Sequence, residues 1–243
     1  MTEPIQPIYL LADSQLLFWK NDGEGLLSEV KHRLGTSNPA AAYVGASNGD
    51  DPSFYSIFTA AMSGVGITDC RMIMSSFSDE DRAFLEAADI ILLAGGDARR
   101  GWEIIERVGI KEVLVSRYLG GGALMGVSAG AIQLGLYGFQ EGDDPCVSLF
   151  DALKLVPFVL DAHQERSDWE RLKTVVRMLE SGERGLGIPA GGGFIYHPDH
   201  TIEPVRFPMH EFSVVDKEVT DTLLFPANSN PRVPEDREKE TSD

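Results

Sequence analysis

"LMGVSAGAIQLG", residues 124–135, joins an apolar run to the opening of a helix through a single serine, Ser128. The pattern is Gly-x-Ser-x-Gly. A serine at a sharp strand-to-helix turn takes a strained backbone conformation that lifts its hydroxyl clear of the sheet. Flanking glycines let neighbouring backbone pass without clashes. The amide that follows faces the same crevice, at a helix start where a developing oxyanion is stabilised. The five residues alone also fit a small residue in a tight turn, because Gly, Ser and Ala often co-occur there. Their context favours a nucleophile: "GGALMG" before them is strand-like and "AGAIQLG" after them helix-like.

Strand and helix patterns alternate on either side of this turn. Apolar β-type runs stand at "IYLLA" (8–12), "AAYVGAS" (41–47), "CRMIM" (70–74), "DIILLAGG" (89–96) and "GGALMGV" (121–127). Helical segments lie between them. "DPSFYSIFTAAMSGVG" (51–66) follows Asp51 and Pro52, and "SDEDRAFLEAA" (78–88) starts on Ser78 as an N-cap. Continuous apolar strands alternating with helices require a sheet covered on both faces, hence a mostly parallel α/β fold. Further on, "SDWERLKTVVRMLESGERG" (167–185) reads as a helix capped by Ser167, "GLGIP" as a short strand and "GFIYHPDHTIEPVRF" as a hairpin turning at Pro198 and Asp199. The polar "ANSNPRVPEDREKETSD" (227–243) is expected to be disordered, leaving 1–226 as one domain.

Composition narrows the function. The 243 residues carry a formal charge of −17 with no lysine/arginine cluster to offset it, so a phosphate backbone is repelled and nucleic acid is not expected as a partner. The apolar runs are too short to span a bilayer and no signal peptide opens the chain, so no membrane partner is expected. Two cysteines, Cys70 and Cys146, offer neither a disulfide framework nor metal-ligand spacing, and they read as reduced thiols of a cytoplasmic protein.

A serine hydroxyl needs a base to take its proton. Of the five histidines, His32 sits among charged residues on a helix, His197 and His200 flank the hairpin turn, and His210 lies in a polar stretch. The spacing of His197 and His200 lacks a further ligand, so no metal is expected. His163, in "PFVLDAHQERSDW" (157–169), ends an apolar run, where a strand delivers side chains to the crevice. "LLAGGDARR" (92–100) places two glycines at a second strand end, able to aim an amide into the same place.

These elements resemble the peptidase E / cyanophycinase family of serine peptidases, which is built on the class I glutamine-amidotransferase-like (flavodoxin-like) fold. The resemblance rests on "YVGAS" (43–47), "AGGD" (94–97), "MGVSAGA" (125–131), "LDAHQER" (160–166) and "GLGIP" (185–189), in family order. It implies a three-layer sandwich with a central, mostly parallel sheet and a peripheral hairpin, with no cofactor. It implies Ser128 as nucleophile, His163 as base, and the amides of Gly96 and Ala129 as oxyanion hole. Asp97, Arg166 and Arg171 fall at substrate-binding positions. The implied substrates are aspartyl dipeptides or related small peptides, and a homodimer is the assembly left open. Serine followed by histidine after 35 residues disfavours an α/β-hydrolase esterase.

Two departures bear on activity. Where the family carries an acid after the "GLGI" strand, this chain has Pro189, Ala190, Gly191, Gly192 and Gly193. Loss of the histidine-orienting carboxylate costs about 10⁴-fold in kcat in a serine-protease triad. Asp161 is the preferred replacement, with Glu141, Asp143, Asp144 and Glu203 as alternatives. Asp168 stands where a base is expected, which weakens an arginine fork for a substrate carboxylate. The alternative to an active peptidase is an impaired homologue that binds small molecules or regulates.

Overall fold

The computed structural model describes residues 4–21, 23–141, 147–179 and 182–227. The tail expected to be disordered falls outside them from residue 228 on, as do Asp143, Asp144 and Cys146. In chain order the first half contains β1 (Ile8–Leu11), the two-residue strands β2 (Lys20–Asn21) and β3 (Glu24–Gly25), α1 (Leu26–Leu34), β4 (Ala40–Val44) and α2 (Pro52–Gly64). There follow β5 (Asp69–Ile73), α3 (Asp79–Ala87), β6 (Ile90–Leu93), α4 (Ala98–Val108), α5 (Ile110–Leu119), β7 (Ala123–Val127) and α6 (Ala129–Leu134). The second half holds β8 (Tyr137–Glu141), β9 (Val147–Asp151), β10 (Phe158–Ala162), α7 (Glu170–Met178), β11 (Arg184–Ile188), β12 (Gly193–Tyr196), β13 (Ile202–Val205), β14 (Met209–Val215) and β15 (Glu218–Leu224).

Seven strands form the central sheet in the order β13-β12-β1-β7-β6-β4-β5. Strands β1, β7, β6, β4 and β5 run parallel, and β12 joins β1 antiparallel, with Leu10 opposite Phe194. Alternation along each strand sends side chains to opposite faces. Ile8, Leu10, Leu93 and Leu124 enter the core under α3 to α6. Tyr9, Leu11, Leu92 and Met125 enter the core under α1 and α2. The five parallel strands are those expected from the apolar runs, within three residues at each end, and helices cover both faces.

The hairpin at Pro198 and Asp199 forms as β12 and β13 at one edge of the central sheet. Asp199 stabilises its turn by accepting from the Thr201 amide at 3.0 Å. The helix of residues 167–185 is shorter than its pattern suggests. Ser167 lies in a 3₁₀ turn and donates to the Gln164 carbonyl, and the helix begins after Trp169, which carries a φ of 59°. Trp169 is buried with Leu172, Val175, Val176 and Phe212, so packing of the indole sets the helix start and overrides the serine cap.

A second sheet, β10-β11-β14-β15, lies apart from the first, with β10 and β11 parallel. Leu160, Ala162, Leu186 and Ile188 share a core with Ile8 and Leu124 of the central sheet. The strand ending at His163 is therefore fixed against the larger sheet by apolar contact.

Candidate active site

Ser128 follows β7 and precedes α6 with φ 49° and ψ −106°, a strained conformation for a residue with a side chain. Its amide donates to the Leu11 carbonyl at 2.8 Å, tying the turn to β1. The two glycines of the motif are required by close approach. A Cβ on Gly126 would stand 2.5 Å from the Gly130 carbonyl oxygen, and one on Gly130 would stand 2.1 Å from that of Leu93. The turn closes only because backbone packs on backbone there.

The neighbouring strand ends complete the crevice. Gly96, after β6, has φ 137°, and a Cβ there would meet the Ser47 carbonyl oxygen at 2.2 Å. Among the described residues neither the Gly96 nor the Ala129 amide has a hydrogen-bond acceptor. Unpaired amides beside a serine hydroxyl are what an oxyanion hole needs. Asp97 caps α4, accepting from the Arg100 amide at 3.0 Å.

His163 follows β10 with φ 61°, and its amide donates to the Ile188 carbonyl at 3.2 Å. The imidazole is exposed. Together with Ser128 and Gly96 it lines two cavities. One, of ≈ 230 Å³, is walled mainly by apolar side chains, among them Leu17, Tyr43, Phe54, Ile57 and Phe58. The other is an open polar groove of ≈ 690 Å³ that includes Asp97, Arg99, Gln140, Asp161, Gln164 and Arg171. Among the described residues no hydrogen bond of 3.5 Å or less joins the Ser128 and His163 side chains. Such bonds are often long without substrate and tighten in the Michaelis complex.

Asp161 is 1% exposed. Its Oδ1 accepts from the Ala162 amide at 2.9 Å and from Arg171 Nη2 at 3.0 Å, and its Oδ2 from the same Nη2 at 3.3 Å. Burial pushes its carboxyl up to about 6, against the opposing pull of the Arg171 guanidinium and the Ala162 amide. Its oxygens thus go to Arg171 and Ala162, and among the described residues neither bonds to His163. Arg166 is exposed on the 3₁₀ turn and lines neither cavity. Glu203 bonds His197 at 2.9 Å on the hairpin.

Two carboxylates missed by motif reading meet the segment that lacks the expected acid. Asp13 Oδ2 accepts from the Gly191 amide at 2.6 Å, and Glu165 accepts from the Ala190 amide. Asp13 also lines the apolar cavity with Ser128 and His163. Its only sequence signal is its place just past the carboxyl end of β1, the edge where α/β sheets bind ligands. Among the described residues no group of three His, Cys, Asp or Glu side chains could hold a metal ion, and no helix is long and apolar enough to cross a membrane.

The model of peptidase family S51 matches residues 8–202. No curated protein matches the chain. Among solved structures, a peptidase from an acI-B1 Actinobacterium superposes with a TM-score of 0.65 at 12% identity, covering 90% of this chain and 97% of its own. A putative peptidase E protein from Listeria monocytogenes EGD-e gives 0.55 at 16% identity, covering 91% of this chain and 100% of its own. These likenesses show the fold.

Proposed function

The chain belongs to peptidase family S51, which makes it a serine-peptidase hydrolase, and from that premise we propose that Ser128 and His163 carry its reaction on small peptides. Ser128 Oγ attacks the scissile carbonyl carbon while His163 takes the hydroxyl proton. The amides of Gly96 and Ala129 donate to the oxyanion. The tetrahedral intermediate collapses, the C–N bond breaks, and His163 returns the proton to the leaving amine. Water, activated by the same imidazole, then frees the acyl group from Ser128.

One observation supports this reading above the others: a serine in a strained elbow and a histidine from another strand share the walls of two cavities beside two unpaired amides. A structural turn has no use for that convergence. No hydrogen-bonded carboxylate orients His163 among the described residues, so we assign Asp161 to holding Arg171 within the polar groove and not to a catalytic triad.

The test is labelling of the purified chain with a fluorophosphonate, beside turnover of a dipeptide panel. Stoichiometric labelling that vanishes in Ser128→Ala supports the reading. A wild-type chain that resists the probe, and whose melting temperature is nevertheless raised by a dipeptide, supports the impaired, ligand-binding homologue.

A further inference from the structure

The apolar cavity beside Ser128 says what kind of residue the site accepts. Leu17, Tyr43, Phe54, Ile57 and Phe58 form much of its wall, and Val127 and Gly96 connect it to the nucleophile. The polar ends of two wall residues are turned to each other, with Asn48 Nδ2 donating to Tyr43 Oη at 2.7 Å. Among the described residues no lysine or arginine lines it, and Asp13 places an acid there.

A substrate carboxylate entering this space would lose water without gaining a cation and would face Asp13, a combination that costs several-fold to many-fold in affinity. The arginines at the site, Arg99 and Arg171, line the polar groove, where they pair with Glu103 at 3.2 Å and Asp161 at 3.0 Å. Size points the same way. An apolar cavity of about 150 Å³ is known to bind benzene, and this one has ≈ 230 Å³. That suits a phenyl ring with its methylene, or a leucine or methionine side chain. At the rim Phe54 and Ile57, one helical turn apart on α2, are 50% and 37% exposed, large apolar side chains left facing the opening.

Resting on the proposed hydrolase, we infer that this cavity binds the apolar side chain of the substrate residue adjoining the scissile bond, in the class of leucine, methionine and phenylalanine, and rejects aspartate. The aspartyl preference implied by the resemblance would then not hold for this chain. The remainder of the peptide lies along the polar groove.

The experiment compares kcat/KM of the full chain on Phe-Ala against Asp-Ala and on Ala-Phe against Ala-Asp. The expected result is a preference for phenylalanine of about ten-fold or more in at least one pair. Equal or better turnover of aspartate in both pairs overturns the inference and leaves the hydrolase standing. Phe54→Ala and Ile57→Ala, both at the exposed rim, should cut the phenylalanine-to-aspartate ratio about three- to ten-fold with an unchanged melting temperature; an unmoved ratio also overturns it. If no peptide is turned over, the hydrolase reading fails. Calorimetric titration of Ser128→Ala with the same four dipeptides then decides the inference, upheld by tighter phenylalanine binding and overturned by none.

Discussion

Ser128 and His163 line the same two cavities, yet they stand past the ends of strands in different sheets, β7 and β10. Each is held in positive-φ backbone, at 49° and 61°. The proposed nucleophile and base therefore share those walls only when the two sheets are packed. Ser128→Ala and His163→Ala should each lower kcat by about 10³-fold or more while leaving the melting temperature within a few degrees, and the double variant should be little worse than either. Steady-state kinetics checks this; full additivity of the two losses would show that they do not act as a unit.

Arg171 should matter to stability through Asp161. Its guanidinium is the charged partner of a carboxylate that is 1% exposed on its side chain, although Arg171 itself remains 31% exposed. Breaking a fully buried pair costs about 3–5 kcal/mol, so with that exposure Arg171→Ala should cost about 2–3 kcal/mol near pH 7. Urea melts measure it. A loss below about 0.5 kcal/mol would show that the pair contributes nothing.

The same carboxyl predicts a pH dependence. Burial raises it in the folded chain to about 6, whereas the unfolded value is about 3.9. The folded state thus holds the extra proton between those values, and this group's destabilising effect is fully present above about 6 and relieved as pH falls toward 4. The stability of the wild type minus that of Asp161→Asn should rise by about 2–3 kcal/mol from pH 7 to pH 4. A flat or falling difference in melts across that range contradicts the assignment.

Gly130 tests the elbow. A Cβ there would stand 2.1 Å from the Leu93 carbonyl oxygen, and backbone cannot yield as a flexible side chain does. Gly130→Ala should destabilise by about 2–4 kcal/mol and displace Ser128, lowering both melting temperature and turnover.

Asp13 tests positioning. The Ile188 carbonyl accepts from the His163 amide, and the segment after it is held by Asp13 through the Gly191 amide. Asp13→Asn should lower kcat about ten-fold with a smaller change in KM, because a small misplacement of a catalytic group is costly. A change confined to KM would assign Asp13 to substrate contact instead.

Much of this was legible in the sequence. Apolar runs at 8–12, 41–47, 89–96 and 121–127 located the central strands because a strand buried on both faces has no polar side to confuse the reading. In the second sheet β10 and β11 read as strands, but β14 and β15 do not. Strand β14 buries only Met209 and Phe212 along its seven residues and β15 buries none, so neither shows the apolar run or clean alternation of a strand and both pass for polar loop. The convergence of Ser128 and His163 is tertiary, and no local spacing encodes it. Asp13 lay hidden for the same reason, since its partner Gly191 is 178 residues away.

Residues 189–192 carry the chain from β11 in one sheet to β12 in the other, pinned on the way by Glu165 and Asp13. This short crossing ties the end of β11, whose Ile188 carbonyl accepts from the His163 amide, to the sheet that carries Ser128. One residue more or fewer there would shift one sheet's end against the other while leaving both side chains, and the walls around them, chemically untouched.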